Sequence, residues 1–172
     1  MKSRKINILL ALAFGAFISL AGCTKKDGAI PAVVSVQAIP TVSTNIDATG
    51  SASISMASLA TFAGKFTVSM YFAGATPPSQ VDIVVRKNGV ASSVKVYKAA
   101  VTALPSSFTV TAADIATLFG AAIVLNDTYD FAPDIYLSDK KYEAFPVTGI
   151  GSGSGLNGMP NFGEFVRYTA KP

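Results

Sequence analysis

The chain of 172 residues has no histidine, no tryptophan and one cysteine. Without histidine there is no Ser-His-Asp or Cys-His nucleophilic machinery, and the commonest zinc ligand is missing. With Cys23 as the lone cysteine, no disulfide can close within the chain. Charge is scarce as well, at 14% of residues. The formal charge of +4 is concentrated at the start: setting aside Lys2, Arg4 and Lys5 leaves 11 basic residues against 10 acidic ones. A near-neutral body offers no basic surface for nucleic acid. Long apolar runs are missing too. The longest, Ile6 to Leu20, is broken by Asn7, Gly15 and Ser19 and falls short of the roughly 20 residues a membrane span needs.

The N-terminus carries the most specific pattern. A basic stretch, a short apolar run and small residues follow one another as in a secretory signal. The four residues Leu20-Ala21-Gly22-Cys23 resemble a bacterial lipobox, the recognition site of lipoprotein signal peptidase. The resemblance implies a signal peptide over 1–22, a lipidated tether over 23–31 and a domain over 32–172. The Cys23 thiol would carry a diacylglycerol, because a thiolate is alkylated under mild conditions. Two or more acyl chains hold a protein stably at a membrane. The implied address is the outer membrane. ATP-dependent chemistry has no supply there. One acid, Asp27, between Lys25-Lys26 and Gly28 leaves both the periplasmic and the cell-surface face open.

Beyond the tether the pattern is of period two. Residues 65–72 alternate Phe66, Val68, Met70 and Phe72 with Thr67, Ser69 and Tyr71, as a half-buried strand requires. Strands are also expected over 32–39, 50–58, 80–89, 92–99, 106–110, 121–125, 128–137, 141–147 and 163–170, that over 80–89 ending in the hairpin turn pair Asn88-Gly89. One short helix is expected. Thr111 with Asp114 three positions on forms a capping signal, and Gly120 ends the run. About seven to nine short strands with frequent turn signals argue for an all-β sandwich with one connecting helix.

The stretch Asn126-Asp127-Thr128-Tyr129-Asp130-Phe131, following that helix, resembles the tyrosine-corner region of immunoglobulin-like domains. There a connector leads into a strand whose tyrosine hydroxyl bonds back to the backbone. Tyr129 would be that tyrosine. The missing tryptophan and disulfide point to a fibronectin-type variant. A terminal lipid, a short tether and such a domain together resemble bacteroidete outer-membrane accessory lipoproteins, some of which serve glycan uptake.

No residue cluster has the context of a catalytic site, so the expectation is a non-enzymatic binding or accessory module without cofactor. Its partners would be the membrane, through the lipid, and a glycan or an envelope protein. The alternative is a structural envelope protein that assembles through its β-edges. Asp127, Asp130, Asp134, Asp139 and Glu143 offer oxygen ligands that suit calcium, but their spacing matches no EF-hand loop. No metal site is therefore assigned. Aromatic residues crowd the C-terminal third. The phenylalanines are expected mostly in the core, whereas Tyr71 and Tyr142 are expected to face outward.

The run Gly149-Ile150-Gly151-Ser152-Gly153-Ser154-Gly155-Leu156-Asn157-Gly158 has the look of a phosphate cradle. A P-loop, however, needs a lysine and a helix after its glycines. Here Met159, Pro160 and Asn161 follow, so nucleotide binding is excluded. Two readings stay open for the segment. One is a flexible connection between late strands. The other is an ordered loop presenting Asn157, Met159, Asn161 and Phe162 to a ligand.

Overall fold

The computed structural model describes residues 38–149, 151 and 159–172. The lipobox, the tether, most of the strand expected over 32–39 and Asn157 lie outside the described residues. The described strands are β1 (Val42–Ile46), β2 (Ile54–Ser55), β3 (Ala63–Met70), β4 (Gln80–Lys87), β5 (Lys95–Val101), β6 (Ser106–Thr111), β7 (Thr128–Leu137), β8 (Lys140–Tyr142) and β9 (Val166–Lys171). The helix α1 (Ala112–Phe119) joins β6 to β7.

Two sheets result. One has three strands in the order β1-β3-β6; the other has six, β2-β9-β7-β4-β5, with β8 also on β7. Every pairing is antiparallel except β2 on β9, which is parallel. Alternation along β3 sends Phe66 and Val68 inward from the small sheet. Val81, Ile83 and Val85 on β4, Tyr129 and Phe131 on β7 and Tyr168 on β9 meet them from the large sheet in one core. Gly64 is required by packing: a Cβ there would stand 2.6 Å from the Tyr168 ring and 2.8 Å from that of Phe62.

Helix α1 follows its sequence signal closely. The Thr111 side chain accepts from the Asp114 N–H, the Asp114 carboxylate accepts from the Thr111 N–H, and Gly120 turns left-handed at φ 65°. The Asn88-Gly89 pair also turns as expected, with both φ values positive.

Strand β7 departs from simple alternation, because seven of its ten residues are buried. Its second face is covered by the chain after β8. Ala144 and Phe145 pack there on Val84 and Ala132, and the Ala144 N–H donates to Asp134 Oδ1 at 2.8 Å.

Other differences from expectation have local causes. Strand β1 reads weakly in sequence, since Ser43, Thr44 and Asn45 fill its middle; pairing with β3 makes it a strand. The strand expected over 50–58 keeps only Ile54 and Ser55, after which 56–61 wind as 3₁₀ turns. Residues 121–125 form no strand: the Val124 N–H is taken by the Asp127 carboxylate at 3.0 Å. The strand expected over 141–147 stops at Tyr142. The domain is therefore all-β, two sheets on one core with a single short α-helix among the described residues.

Candidate ligand-binding surface

The chain leaves β3 through Tyr71 and Phe72 and returns from the glycine-rich segment through residues 159–163. These two stretches meet. The Tyr71 hydroxyl donates to the Pro160 carbonyl at 2.8 Å. The Tyr71 ring packs edge-on against Phe72 and Phe162, with centroids 4.9 and 5.4 Å away. Phe72 is half exposed, so one ring of the trio is open to solvent.

The returning stretch is fixed to β1. The Thr44 N–H donates to the Gly163 carbonyl at 2.7 Å, and the Gly163 N–H donates to Ser43 Oγ at 3.0 Å. A side chain on Gly163 would collide with the Thr44 carbonyl, so this glycine serves close approach. The Phe162 N–H closes a turn onto Met159 at 3.1 Å, with Asn161 left-handed at φ 59°. Apart from Gly149 and Gly151, the glycine-rich run lies outside the described residues; Met159, Asn161 and Phe162, which follow it, sit in this turn.

Between these stretches lies a shallow groove of about 530 Å³, lined by Ser43, Asn45, Ser69, Met70, Tyr71, Phe72, Pro160 and Asn161. None of the described lining residues is charged. The groove offers an aromatic wall beside amides and hydroxyls. Asn45 Nδ2 already donates to Ser43 Oγ at 2.8 Å, which orients the amide.

Three of the residues expected at a ligand site, Tyr71, Asn161 and Phe162, are thus brought together, with Met159 at the start of the same turn. Tyr142 is elsewhere. It pairs with Ile135 at the β7–β8 hairpin and packs on the core, so it does not share this surface. Ser43, Asn45 and Ser69 were not legible as site residues. Their signal was only that small polar side chains alternate along two segments, one of which did not read as a strand. Among the phenylalanines of the C-terminal third, Phe131 and Phe145 are buried, whereas Phe162 and Phe165 are partly so.

The acidic residues do not converge. Asp130, with 0% exposure, lies between Arg86 and Arg167, with contacts of 2.9 and 2.6 Å. The Arg86 guanidinium also covers the Phe145 ring at 4.1 Å. Asp134 pairs with Lys141 at 2.7 Å, and Glu143 reaches the same ammonium at 3.6 Å. The Lys141 pKa is raised, chiefly by its bond to Asp134. Asp139 is exposed in the β7–β8 turn. Among the described residues, no group of three or more potential ligands could hold a metal ion.

Asp127 anchors the corner below α1. Its carboxylate accepts from Lys87 Nζ at 2.8 Å, Asn88 Nδ2 at 2.9 Å, the Val124 N–H at 3.0 Å and the Tyr129 hydroxyl at 3.0 Å. Burial pushes this carboxyl up. The bonds from Lys87, Asn88, Val124 and Tyr129 outweigh it and hold the pKa at about 2. The Tyr129 hydroxyl is pushed up, first by burial and then by its bond to Asp127, so it stays a donor. The resemblance to a tyrosine corner implied a bond to the backbone; here the hydroxyl meets a carboxylate instead.

Compared with known families, curated proteins and solved structures, the chain matches none.

Proposed function

We propose that this chain is a lipid-anchored, non-catalytic module of immunoglobulin-like, fibronectin-type fold that binds a neutral carbohydrate in the groove between Tyr71 and Asn161. The strand order supports the fold. Read in immunoglobulin letters, β1, β3 and β6 are A, B and E; β9, β7, β4 and β5 are G, F, C and C′; β2 is a short A′ strand beside G. The groove then lies where the B–C and F–G loops meet, an end at which such sandwiches present their binding loops. The Leu20-Ala21-Gly22-Cys23 motif supports the anchor and an outer-membrane address.

The observation that carries the ligand class is the uncharged lining. Aromatic rings give apolar faces on which sugar C–H groups stack, and Asn45, Ser69 and Asn161 supply neutral donors and acceptors for hydroxyls. An anionic or cationic ligand would find no partner among these side chains. Affinity electrophoresis against a panel of neutral polysaccharides tests the reading. Retardation of the protein that is lost in Tyr71→Ala and in Phe162→Ala is the expected result. No retardation on any member of the panel overturns it. Labelled palmitate that enters the protein but not Cys23→Ala supports the anchor; equal labelling of both removes it.

A further inference from the structure

The groove does not end at its own lining. Its floor is the start of the outer face of the small sheet. Register places Ser69 opposite Ser43, and Thr67 between Asn45 on β1 and Ser107 on β6. Thr109 follows, opposite Lys65. The Thr67 and Ser107 hydroxyls lie 2.8 Å apart, and Ser107 and Thr109 are exposed. The face inward from these residues carries Phe66, Val68 and Val110 at 0% exposure. Alternation therefore explains why the outer face is polar. It does not explain why that face is nearly uncharged. The charges on these rows are Lys65 and Asp47, whose N–H donates to the Lys65 carbonyl at 2.9 Å; both lie at the end remote from Tyr71, and the Lys65 ammonium stands 3.4 Å from the Thr49 hydroxyl.

We infer that the ligand is the interior of a glycan chain rather than a chain end, and that the chain runs from the Tyr71 rings across Ser69, Thr67, Ser107 and Thr109. This rests on the carbohydrate reading above and names its substrate class. Four features point to it. Among the described residues the groove is shallow and shares Asn45 and Ser69 with the sheet face, and none of them walls off a terminal sugar. From Tyr71 to Thr67 the strand spans roughly 14 Å, and from β1 to β6 roughly 10 Å, at ordinary strand rise and spacing. That is longer than the aromatic cluster alone can cover. Side chains on the face are short, so a ribbon of linked sugars can lie flat with its hydroxyls against a matching set of hydroxyls and amides. The charge pattern fits one occupant: a neutral polyhydroxylated polymer keeps its hydrogen bonds there, whereas a charged polymer would lose its solvation without gaining a counter-ion.

The test uses the full chain and neutral polysaccharides, namely β-glucan, α-mannan and xylan, each with its own oligosaccharide ladder. Affinity should rise with oligosaccharide length and exceed that of a disaccharide by tenfold or more. Ser107→Arg, which places a long cation on the face, should lower affinity for the retained polysaccharide at least fivefold while leaving disaccharide binding within twofold. Thr109→Glu, whose carboxylate can pair with Lys65, is the second variant should the first fold poorly; circular dichroism and melting temperature report folding for both. If Tyr71→Ala abolishes binding but both folded face variants bind the polymer as the parent does, the chain-interior inference is wrong and the carbohydrate reading stands. Length-independent affinity has the same consequence. If the parent binds none of these polymers, the carbohydrate reading itself has failed.

Discussion

Asp127→Asn probes the corner that ties α1, β4 and β7 together. The change keeps the shape of the side chain and removes its charge. In the folded protein the carboxyl is held at about 2, against an ordinary 3.8. A fall of that size is worth about 2 kcal/mol of folding free energy. Solvent screening is limited because Asp127 is only 6% exposed. The sign follows from linkage. The folded state holds the proton less tightly than the unfolded state, so the stabilisation is complete above about pH 4 and fades as pH falls toward 2. The substituted amide would still meet Tyr129 and Asn88 but would give the Lys87 ammonium no counter-charge. At pH 6 the variant should be less stable by about 2 kcal/mol, or roughly 4–8 °C in Tm for a domain of this size. Urea unfolding followed by circular dichroism from pH 2 to 7 measures the gap between the two proteins. The gap should close between pH 4 and 2. A constant gap across that range would refute the reasoning, because Asp127 would then act through shape and not through charge.

Three further changes test the packing. Gly64→Ala pushes a methyl into the rings of Tyr168 and Phe62 and should cost about 1–3 kcal/mol, read as a lower urea midpoint. Asp130→Ala leaves Arg86 and Arg167 without their shared counter-charge; because the Arg167 side chain is 47% exposed, the loss should fall near the low end of the buried-pair range, about 3 kcal/mol. Thr44→Val should stabilise. The Thr44 hydroxyl is buried in the core without a partner among the described residues, and removing it should gain about 1 kcal/mol; a loss in thermal unfolding would mean that the hydroxyl is satisfied in solution.

The parts of the fold that could be read from sequence are those whose signal is local. The capping pair Thr111 and Asp114, the left-handed Gly120 and the Asn88-Gly89 turn follow from residue type at fixed spacing, and β7 keeps its expected bounds, though not its burial. The parts that could not be read depend on distant partners. Strand β1 has a polar middle and exists because Met70, Val68 and Phe66 lie opposite Val42, Thr44 and Ile46. Residues 121–125 have a strand composition, but Asp127 captures the backbone of Val124 and Tyr129 bonds to the same carboxylate. The candidate site divides in the same way. Tyr71, Asn161 and Phe162 could be proposed because aromatic and amide side chains in loops are conspicuous. Ser43, Asn45 and Ser69 could not, since their role comes only from cross-strand register.

The acidic cluster shows most directly what register adds. Five carboxylates within 17 positions of sequence suggest a shared cation. In the fold, Asp130 and Asp134 stand on the outer face of the large sheet, while Asp127 is drawn into the corner, and each has a basic partner from another segment. That face is charged, and the chain after β8 lies across it. The outer face of the small sheet is the reverse, nearly uncharged and left open beside an aromatic cluster. The two differ in what a ligand would displace. Binding over Asp130 would have to break ion pairs already made, at a cost of several kcal/mol, whereas binding over Thr67 and Ser107 exchanges water for other hydroxyls at little net cost. Assembly through the β5 edge of the large sheet meets a different obstacle. The outer strand β5 carries Lys95 and Lys98 and is bent at Ala100, which is left-handed at φ 55° and donates its N–H to Asp82. Lysines and bulges of this kind discourage strand addition. The small-sheet face therefore remains the surface on which a ligand loses least, and this is the physical reason to seek the function there.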